Sequence, residues 1–570
     1  MSAPSEKTIS KTKEKQHDEN IRDYTDSDVG VSDNYPTGIR LTLIMVSLML
    51  GTSLMALDAT IISVATPKIS TQFQALGDVG WYGAAYSMLL TAFTPIASNF
   101  YKYFHPKYVY LAFIVIFEGG SILCAAAPNS SSFIAGRAIA GIGAAGLLQG
   151  AFGILTYVCT LEKRPLFLGG VVSLFGLFSS IGPVLGGELT ERTSWRWCFW
   201  INVPIGGVVF AGIVFALTLT GLDQTTRNLP LATKARKLDL PGVVLLIASV
   251  SCLFLALQEG GIKMPWSHAR PVGLLVGFVT IFFLFALWQW KAGEDATVPL
   301  RYLRHRTTVW GSLYLFWDNM ASYITIYYMP FYFQAGLNQS PLKSGVSYMS
   351  LAVPQMIGLI AGGGITTATG HYMPVILFAQ VLCATGAGLL TTITTSTRTV
   401  LWATYMVLAG LGLGLGVNVP HIAIQAVMET DNDVFIANGI ASFFGQLGGS
   451  LGVPIGNAIL IKALKTNILE KAPGISPATA IDAGALAINT LATSESLLAG
   501  LRQAWAVSVG RVNIFLVAII CISVPTACGM NWLNIKTISR EREEQKKVAA
   551  RAGLNSGSTE DKREDKGESV

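Results

Sequence analysis

Fourteen times between residues 40 and 535 the chain runs for about 20 residues with almost no charge, the length a helix needs to cross a hydrocarbon layer of about 30 Å. The stretches centre on 40–64, 79–100, 108–127, 132–157, 166–187, 197–220, 240–258, 271–290, 308–332, 344–368, 373–394, 399–424, 435–461 and 512–535. Charged residues make up 13% of the chain and apolar ones 51%, so a soluble fold of this size could not keep its surface wet. The expectation is an all-α integral membrane protein. No apolar core occupies the first 30 residues, so the first span is expected to act as the targeting signal.

The polar residues gather at the ends. Residues 1–38 and 537–570 are rich in Lys, Glu, Asp and Ser and poor in aromatics, and both are expected to be disordered tails. With the N-terminus inside, the inner loops "YKYFHPKY", "LEKRP", "RNLPLATKARKLD" and "KAGEDATVPLRYLRHR" collect roughly 12 Lys and Arg against about 7 in the short outer loops, as the positive-inside rule requires. The acidic inner loop "METDNDV" runs against the trend. Both N-x-S/T acceptors, Asn129 and Asn338, then fall outside, where glycosylation is possible. Both tails are expected in the cytoplasm.

An internal repeat is visible. "IAGIGAAGLLQGAFG" (139–153) matches "LAGLGLGLGVNVPHI" (408–422), "SIGPVLGG" (180–187) matches "GQLGGSLGVPIG" (445–456), and "MALDATIISVATP" (55–67) matches "MASYITIYYMP" (320–330). This gives an N-terminal six-helix bundle over 39–220, cytoplasmic linkers and two inserted spans over 221–306, and a C-terminal six-helix bundle over 307–536. Parallel repeats with a site near the midplane are a secondary-transporter plan. Gly146/Gly150, Gly182/Gly186, Gly410/Gly414, Gly445/Gly449 and Gly448/Gly452 are small-xxx-small pairs that let backbones approach. Pro183 and Pro454 interrupt spans 5 and 13 and would permit bending.

Several chemistries drop out. "GIGAAG" (141–146) has the dinucleotide-binding spacing but lies inside an apolar 20-mer with no strand before it. There is no GxxxxGK[ST] loop, HExxH or CxxC, and the seven cysteines sit in or beside apolar segments as small hydrophobes. The chain is therefore expected to be no enzyme and to use no cofactor, metal or nucleic acid.

Charges inside the spans need a reason, since a carboxylate in hydrocarbon costs roughly 2.5–3.5 kcal/mol. At 1.5 Å per residue, Asp58 lies roughly 13 Å and Arg137 about 9 Å below the outer surface, close enough in depth to pair or to compete for a proton. Glu118 and Asp318 are deeper, each about 15 Å from the cytoplasmic start of its helix. Around Asp318 stand Tyr314, Trp317, Tyr323, Tyr327 and Phe331, a setting that suits amphipathic or cationic organic molecules.

These residues resemble a known family. "LDATIISVATPKI" (57–69) is similar to the helix-1 signature of the fourteen-helix drug:proton antiporters of the major facilitator superfamily. "GRAIAGIG" (136–143) resembles their helix-4 arginine motif, and "GPVLGGELTERTSWRWCFWINVPIGG" (182–207) resembles the antiporter motif with the Trp-Arg-Trp and Asn-x-Pro lead into helix 6. "WYGAAYSMLLTAF" and "YYMPFYFQAGL" resemble the fungal toxin and multidrug efflux branch. The resemblance implies the major facilitator fold, with Asp58 and Arg137 in proton coupling and Gly182, Pro183, Gly186 and Gly187 as the antiporter bend. It implies a cavity lined by helices 1, 4, 9 and 12, with Asp318, Trp317, Tyr323, Tyr327, Gln149, Asn418, His421 and Gln425 as its polar and aromatic residues. Helix 3 is peripheral in that architecture, which makes Glu118 structural. The loop between helices 2 and 3, "SNFYKYFHPKYVYL" (98–111), lacks the family's Gly-x-x-x-Asp-Arg gating pattern and keeps Lys102 and Lys107 as its basic residues.

The expectation is a monomeric, proton-coupled exporter of toxic organic compounds, such as a secondary-metabolite toxin or drugs, in the plasma membrane. Its partners would be protons, an amphipathic small molecule and the lipid bilayer. The alternative is a vacuolar basic amino-acid or siderophore transporter of the same superfamily.

Overall fold

The computed structural model describes residues 35–544, except 74, 76–77, 161–162, 220–228, 261–263, 294–295, 340, 429–430, 484–490, 493, 539 and 542–543. The tails expected over 1–38 and 537–570 lie mostly outside the described residues. Among the described residues fourteen long helices follow in order: α1 Gly38–Phe73, α2 Val79–Tyr103, α3 Pro106–Ala126, α4 Ser130–Val158, α5 Arg164–Arg192, α6 Trp197–Ala216, α7 Leu240–Glu259, α8 Ala269–Ala292, α9 Arg306–Phe331, α10 Pro341–Thr369, α11 Met373–Leu390, α12 Thr399–Val427, α13 Asp431–Lys471 and α14 Glu495–Cys528. A π-turn at Tyr332–Gly336 extends α9.

Among the described residues 12 helices are long and apolar enough to cross a membrane by composition. The two that fall short, α2 and α9, are richer in polar side chains. Several of their hydroxyl and amide groups bond back to the helix's own carbonyls and so carry little cost in hydrocarbon. Thr91 donates to Ser87 O at 2.8 Å, Thr94 to Leu90 O at 2.6 Å, Asn319 to Leu315 O at 3.0 Å and Thr325 to Ala321 O at 2.9 Å.

Three helix ends differ from the hydropathy reading. α1 runs past Pro67 to Phe73 because tertiary contacts hold its last turns: Gln72 Oε1 accepts from Trp195 Nε1 at 2.7 Å, and Phe73 packs edge-on against Trp195. α13 has 41 residues, which at 1.5 Å per residue is about 60 Å, twice the hydrocarbon thickness. Its extra turns bear Lys462, Lys465 and Lys471, yet bury Leu464 and Ile468 against the C-terminal bundle. α14 begins at the Ser494 cap, whose Oγ accepts from Leu497 N, well before the expected 512.

α1–α6 and α9–α14 repeat one packing scheme. α1 packs on α5 as α9 does on α13, α3 on α4 as α11 does on α12, and α2 on α4 as α10 does on α12. Glycines fix the register. A side chain at Gly143 would strike the Phe117 backbone, and one at Gly412 the Cys383 backbone. Gly120 meets Ala140 as Gly386 meets Ala409, and Gly141 meets the Tyr86 carbonyl as Gly410 meets that of Leu351. α5 against α10 and α2 against α13 join the halves, and α7 and α8 pack on each other with α7 on α2. α5 and α13 continue as helices through Pro183 and Pro454.

Asp239 ties the inserted pair together. Its Oδ1 accepts from Gly242 N and Trp288 Nε1, and its Oδ2 from Gln289 Nε2, Thr297 N and Thr297 Oγ1, all between 2.6 and 3.1 Å. The short helix Leu300–Arg304 that follows is bound to the start of α13, where Asp433 accepts from both Arg301 and Tyr302.

Candidate functional site

Asp58 on α1 and Arg137 on α4 meet inside the N-terminal bundle. Arg137 Nη1 donates to Asp58 Oδ2 at 2.6 Å, and the two side chains are 0% and 1% exposed. Arg137 Nε donates to Tyr82 O at 2.9 Å, and its guanidinium lies 4.5 Å from the centre of the Tyr86 ring. The Tyr86 hydroxyl donates to Met55 O, back on α1. Two further helices complete the site: Asn202 Nδ2 on α6 donates to Asp58 Oδ1 at 3.3 Å and to Ser121 Oγ on α3 at 3.2 Å. The charge pair is thus bonded, stacked and desolvated, which is the condition under which a buried pair holds.

One end of the pair is sealed by aromatics. Phe133 stands edge-on to Tyr82, Trp195 and Phe199 at 5.0, 5.7 and 5.3 Å between ring centres. The Trp-Arg-Trp segment builds this seal. Arg196 donates to the carbonyls of Ala125 and Ala127 and so caps α3, while Trp195 ties α6 to α1 through Gln72. Just past Asp58, α5 lies directly on α1. A side chain at Gly182 would meet Thr60, and one at Gly186 the Ile61 carbonyl. Pro183 and Gly187 are half-buried in the same turns.

Asp58 and Arg137 are legible in the sequence as site residues, Asn202 only as part of the Asn-x-Pro motif, and Tyr82, Tyr86 and Ser121 not at all. The signal for Asn202 was present, since an amide in an apolar span just before Pro204 needs a polar partner. Backbone acceptors such as Tyr82 O leave no trace in a sequence.

The expected cavity residues divide into two groups. Asp318 lies within the C-terminal bundle, where its Oδ1 accepts from Tyr314 at 3.4 Å. Gln380 donates to that same tyrosine and accepts from Ser523 on α14 at 2.7 Å. Trp317 packs edge-on against Phe316, while Tyr323 stacks with Tyr327 at 6.5 Å and faces Gln446. Tyr327 is 50% exposed. Of the aromatic set, Tyr314 bonds Asp318 directly, while Trp317, Tyr323 and Tyr327 are engaged with Phe316, Gln446 and one another.

Gln149, Asn418, His421 and Gln425 are all buried where the halves meet, near the end that carries the basic loops. Ser98 donates to Gln149 Oε1 at 3.3 Å, and His421 bonds Asn438 at 3.3 Å. Rings close this end: Phe152 stacks on His421 at 4.8 Å, and Phe435 stacks on Tyr101 at 5.2 Å and faces Tyr157 at 6.0 Å. Aromatic stacking thus stands where the 98–111 loop lacks its charged pattern.

Asn129 is exposed and caps α4, its Oδ1 accepting from Ser132 N at 2.9 Å; Asn338 is exposed with φ +54°. Among the described residues no group of three or more His, Cys, Asp or Glu is placed to hold a metal ion.

Two packed six-helix repeats, the N-terminal one built around a buried ion pair, define a multi-pass membrane transporter. The Major Facilitator Superfamily model matches residues 48–453, and the chain belongs to that family. It is 38% identical over 503 residues to the MFS-type efflux pump MFS1 of Arthroderma benhamiae, covering 88% of this chain and 93% of that one. It is 35% identical over 504 residues to the efflux pump aflT of Aspergillus parasiticus, covering 88% and 97%. The solved structure of the proton:xylose symporter XylE shares the fold, with a TM-score of 0.54, 11% identity and coverage of 87% and 98%.

Proposed function

We propose that this chain exports amphipathic or cationic organic compounds, such as secondary-metabolite toxins or drugs, from the cell in exchange for protons. The observation that carries this reading is the fully buried Asp58–Arg137 pair beside the glycine seam of α5. Efflux pumps from fungi at 35–38% identity over most of the chain support the direction and the cargo class. Protonation of Asp58 cancels its attraction for Arg137, and loss of that proton restores it. Because Gly182 and Gly186 carry no side chain where α5 meets Thr60 and the Ile61 carbonyl of α1, α5 can slide along α1 with little to interlock. The proton on Asp58 thus biases one rocking position over another.

On this reading Gln149, Asn418, His421 and Gln425 meet substrate when the basic end opens, and Trp317, Tyr323 and Tyr327 offer it aromatic faces. Asp318 favours cationic cargo. The protein works as a monomer in the plasma membrane with both termini in the cytoplasm, and Asn129 and Asn338 are glycan acceptors, testable by a glycosidase mobility shift.

The test uses rhodamine 6G as an amphipathic probe in cells lacking their own efflux pumps. Asp58→Asn is expected to abolish uncoupler-sensitive dye efflux while the protein still reaches the membrane. Normal gradient-dependent efflux by that variant would remove Asp58 from the mechanism. Asp318→Asn is expected to slow efflux of cationic dyes more than neutral ones, and equal slowing would refute its role in charge selection.

A further inference from the structure

α3 brings a second carboxylate to the ion pair. Glu118 stands one turn before Ser121, which accepts from Asn202, and its Oε1 fills the space that a side chain at Gly206 would need, one turn beyond Asn202 on α6. Two rungs therefore join α3 to α6: Glu118 against Gly206, and Ser121 to Asn202, which continues to Asp58. Both carboxylate oxygens of Glu118 are closed off from the surface, and among the described residues neither has a hydrogen-bond partner. The titratable or charged groups facing the cluster are Asp58 on α1, Tyr86 on α2, Cys124 on α3, Arg137 on α4 and Cys198 on α6.

Among these groups Arg137 is the cation, and its guanidinium is committed to Asp58. A second full negative charge here would have no partner, and an unpaired charge in hydrocarbon is costly. Glu118 faces Asp58 across the Ser121–Asn202 rung, and two carboxyls that share such a site do not both ionise.

We propose that Glu118 is a second proton carrier of the transport cycle, protonated while Asp58 is ionised against Arg137 and ionised when Asp58 is protonated. When an O–H bond forms on Asp58, the O–H bond of Glu118 breaks and its proton is released to solvent as the helices rearrange. The Glu118 carboxylate then supplies the countercharge to Arg137. The cluster keeps one proton throughout, so each proton that arrives at one carboxyl expels the proton on the other. Glu118 thus acts in the proton step and touches no cargo.

The inference rests on the proton-driven reading above, and its test separates the two. Infrared spectra of the full chain in lipid nanodiscs report protonated buried carboxyls by their C=O stretch. Wild type is expected to show a band that Glu118→Gln removes. Asp58→Asn is expected to remove it as well, because Glu118 then ionises as the partner of Arg137. A band unchanged in Glu118→Gln overturns the proposal, as does one that persists in Asp58→Asn.

In reconstituted vesicles with rhodamine 6G, Glu118→Gln is expected to lose dye accumulation driven by a pH difference but to keep dye exchange at equal pH. Glu118→Met, an apolar side chain of similar length, is run beside it so that an unstable glutamine variant does not decide the matter. Retention of pH-driven accumulation by a folded variant overturns the proposal. If wild type itself accumulates no dye under a pH difference, the proton-driven reading fails, while the infrared bands still decide the protonation of Glu118.

Discussion

The two bundles share a skeleton and differ in charge. Their glycines touch equivalent backbone: Gly143 against Phe117 and Gly412 against Cys383, Gly120 against Ala140 and Gly386 against Ala409. In that register the N-terminal bundle carries Glu118 and Arg137 where the C-terminal bundle carries Ala384 and Met406. Backbone packing is thus duplicated while the ionic chemistry is confined to one copy of these positions. A buried pair demands bonds from every neighbour, and α1, α2, α4 and α6 supply them here. The C-terminal bundle meets a different demand with Asp318, whose network runs through Tyr314, Gln380 and Ser523. Duplicated architecture constrains small residues strongly and leaves polar ones free to diverge, because a Cβ at a helix crossing displaces a backbone and a side chain facing the bundle interior does not.

The largest effect should come from giving the N-terminal bundle the C-terminal residue at one position. Arg137→Met leaves Asp58 buried without its cation and is expected to cost about 3–5 kcal/mol, read as a lowered unfolding temperature of the purified protein. A variant as stable as wild type would mean that the pair is not what holds α1 to α4.

Next come the equivalent glycines. Gly143→Ala and Gly412→Ala each force a methyl into backbone and are expected to destabilise by similar amounts, about 1–3 kcal/mol. Clear inequality between them in denaturant or heat would break the claim of duplicated packing.

Phe435→Ala removes the ring between Tyr101 and Tyr157 that closes the basic end. The reporter is Cys159, just beyond α4, whose thiol burial pushes up to about 12 while Arg164 and Lys163 pull it down. At pH 7 to 8 its thiolate is therefore scarce, and maleimide labelling of wild type should be slow and rise only as pH climbs toward that value. Opening the end exposes the thiol, lowers its pKa toward the ordinary range and speeds labelling at neutral pH. Unchanged labelling would show that Phe435 does not seal this end.

The smallest effect is expected at the linker. Burial, and then the bond to Asp433, hold the Tyr302 phenol well above its usual range, so it remains a donor at any physiological pH. Tyr302→Phe should cost about 1 kcal/mol and leave dye efflux nearly intact. A large loss of efflux would make the Leu300–Arg304 segment part of the moving machinery.

The sequence by itself determined the helices and their repeat in two halves, because hydrocarbon admits a narrow choice of backbone and the apolar lengths record it. It also exposed Asp58, Arg137, Glu118 and Asp318, since charge in a membrane span stands out against its surroundings. The tertiary structure decided the partners: Asn202 and the Tyr82 carbonyl at the ion pair, Gly206 beside Glu118, and Gln380 behind Tyr314. It also set the ends of α1, α13 and α14, where packing carries helix beyond the apolar run. The physical reason is that hydropathy is a property of each residue with its solvent, whereas a hydrogen bond is a property of two atoms that the chain brings together from distant positions.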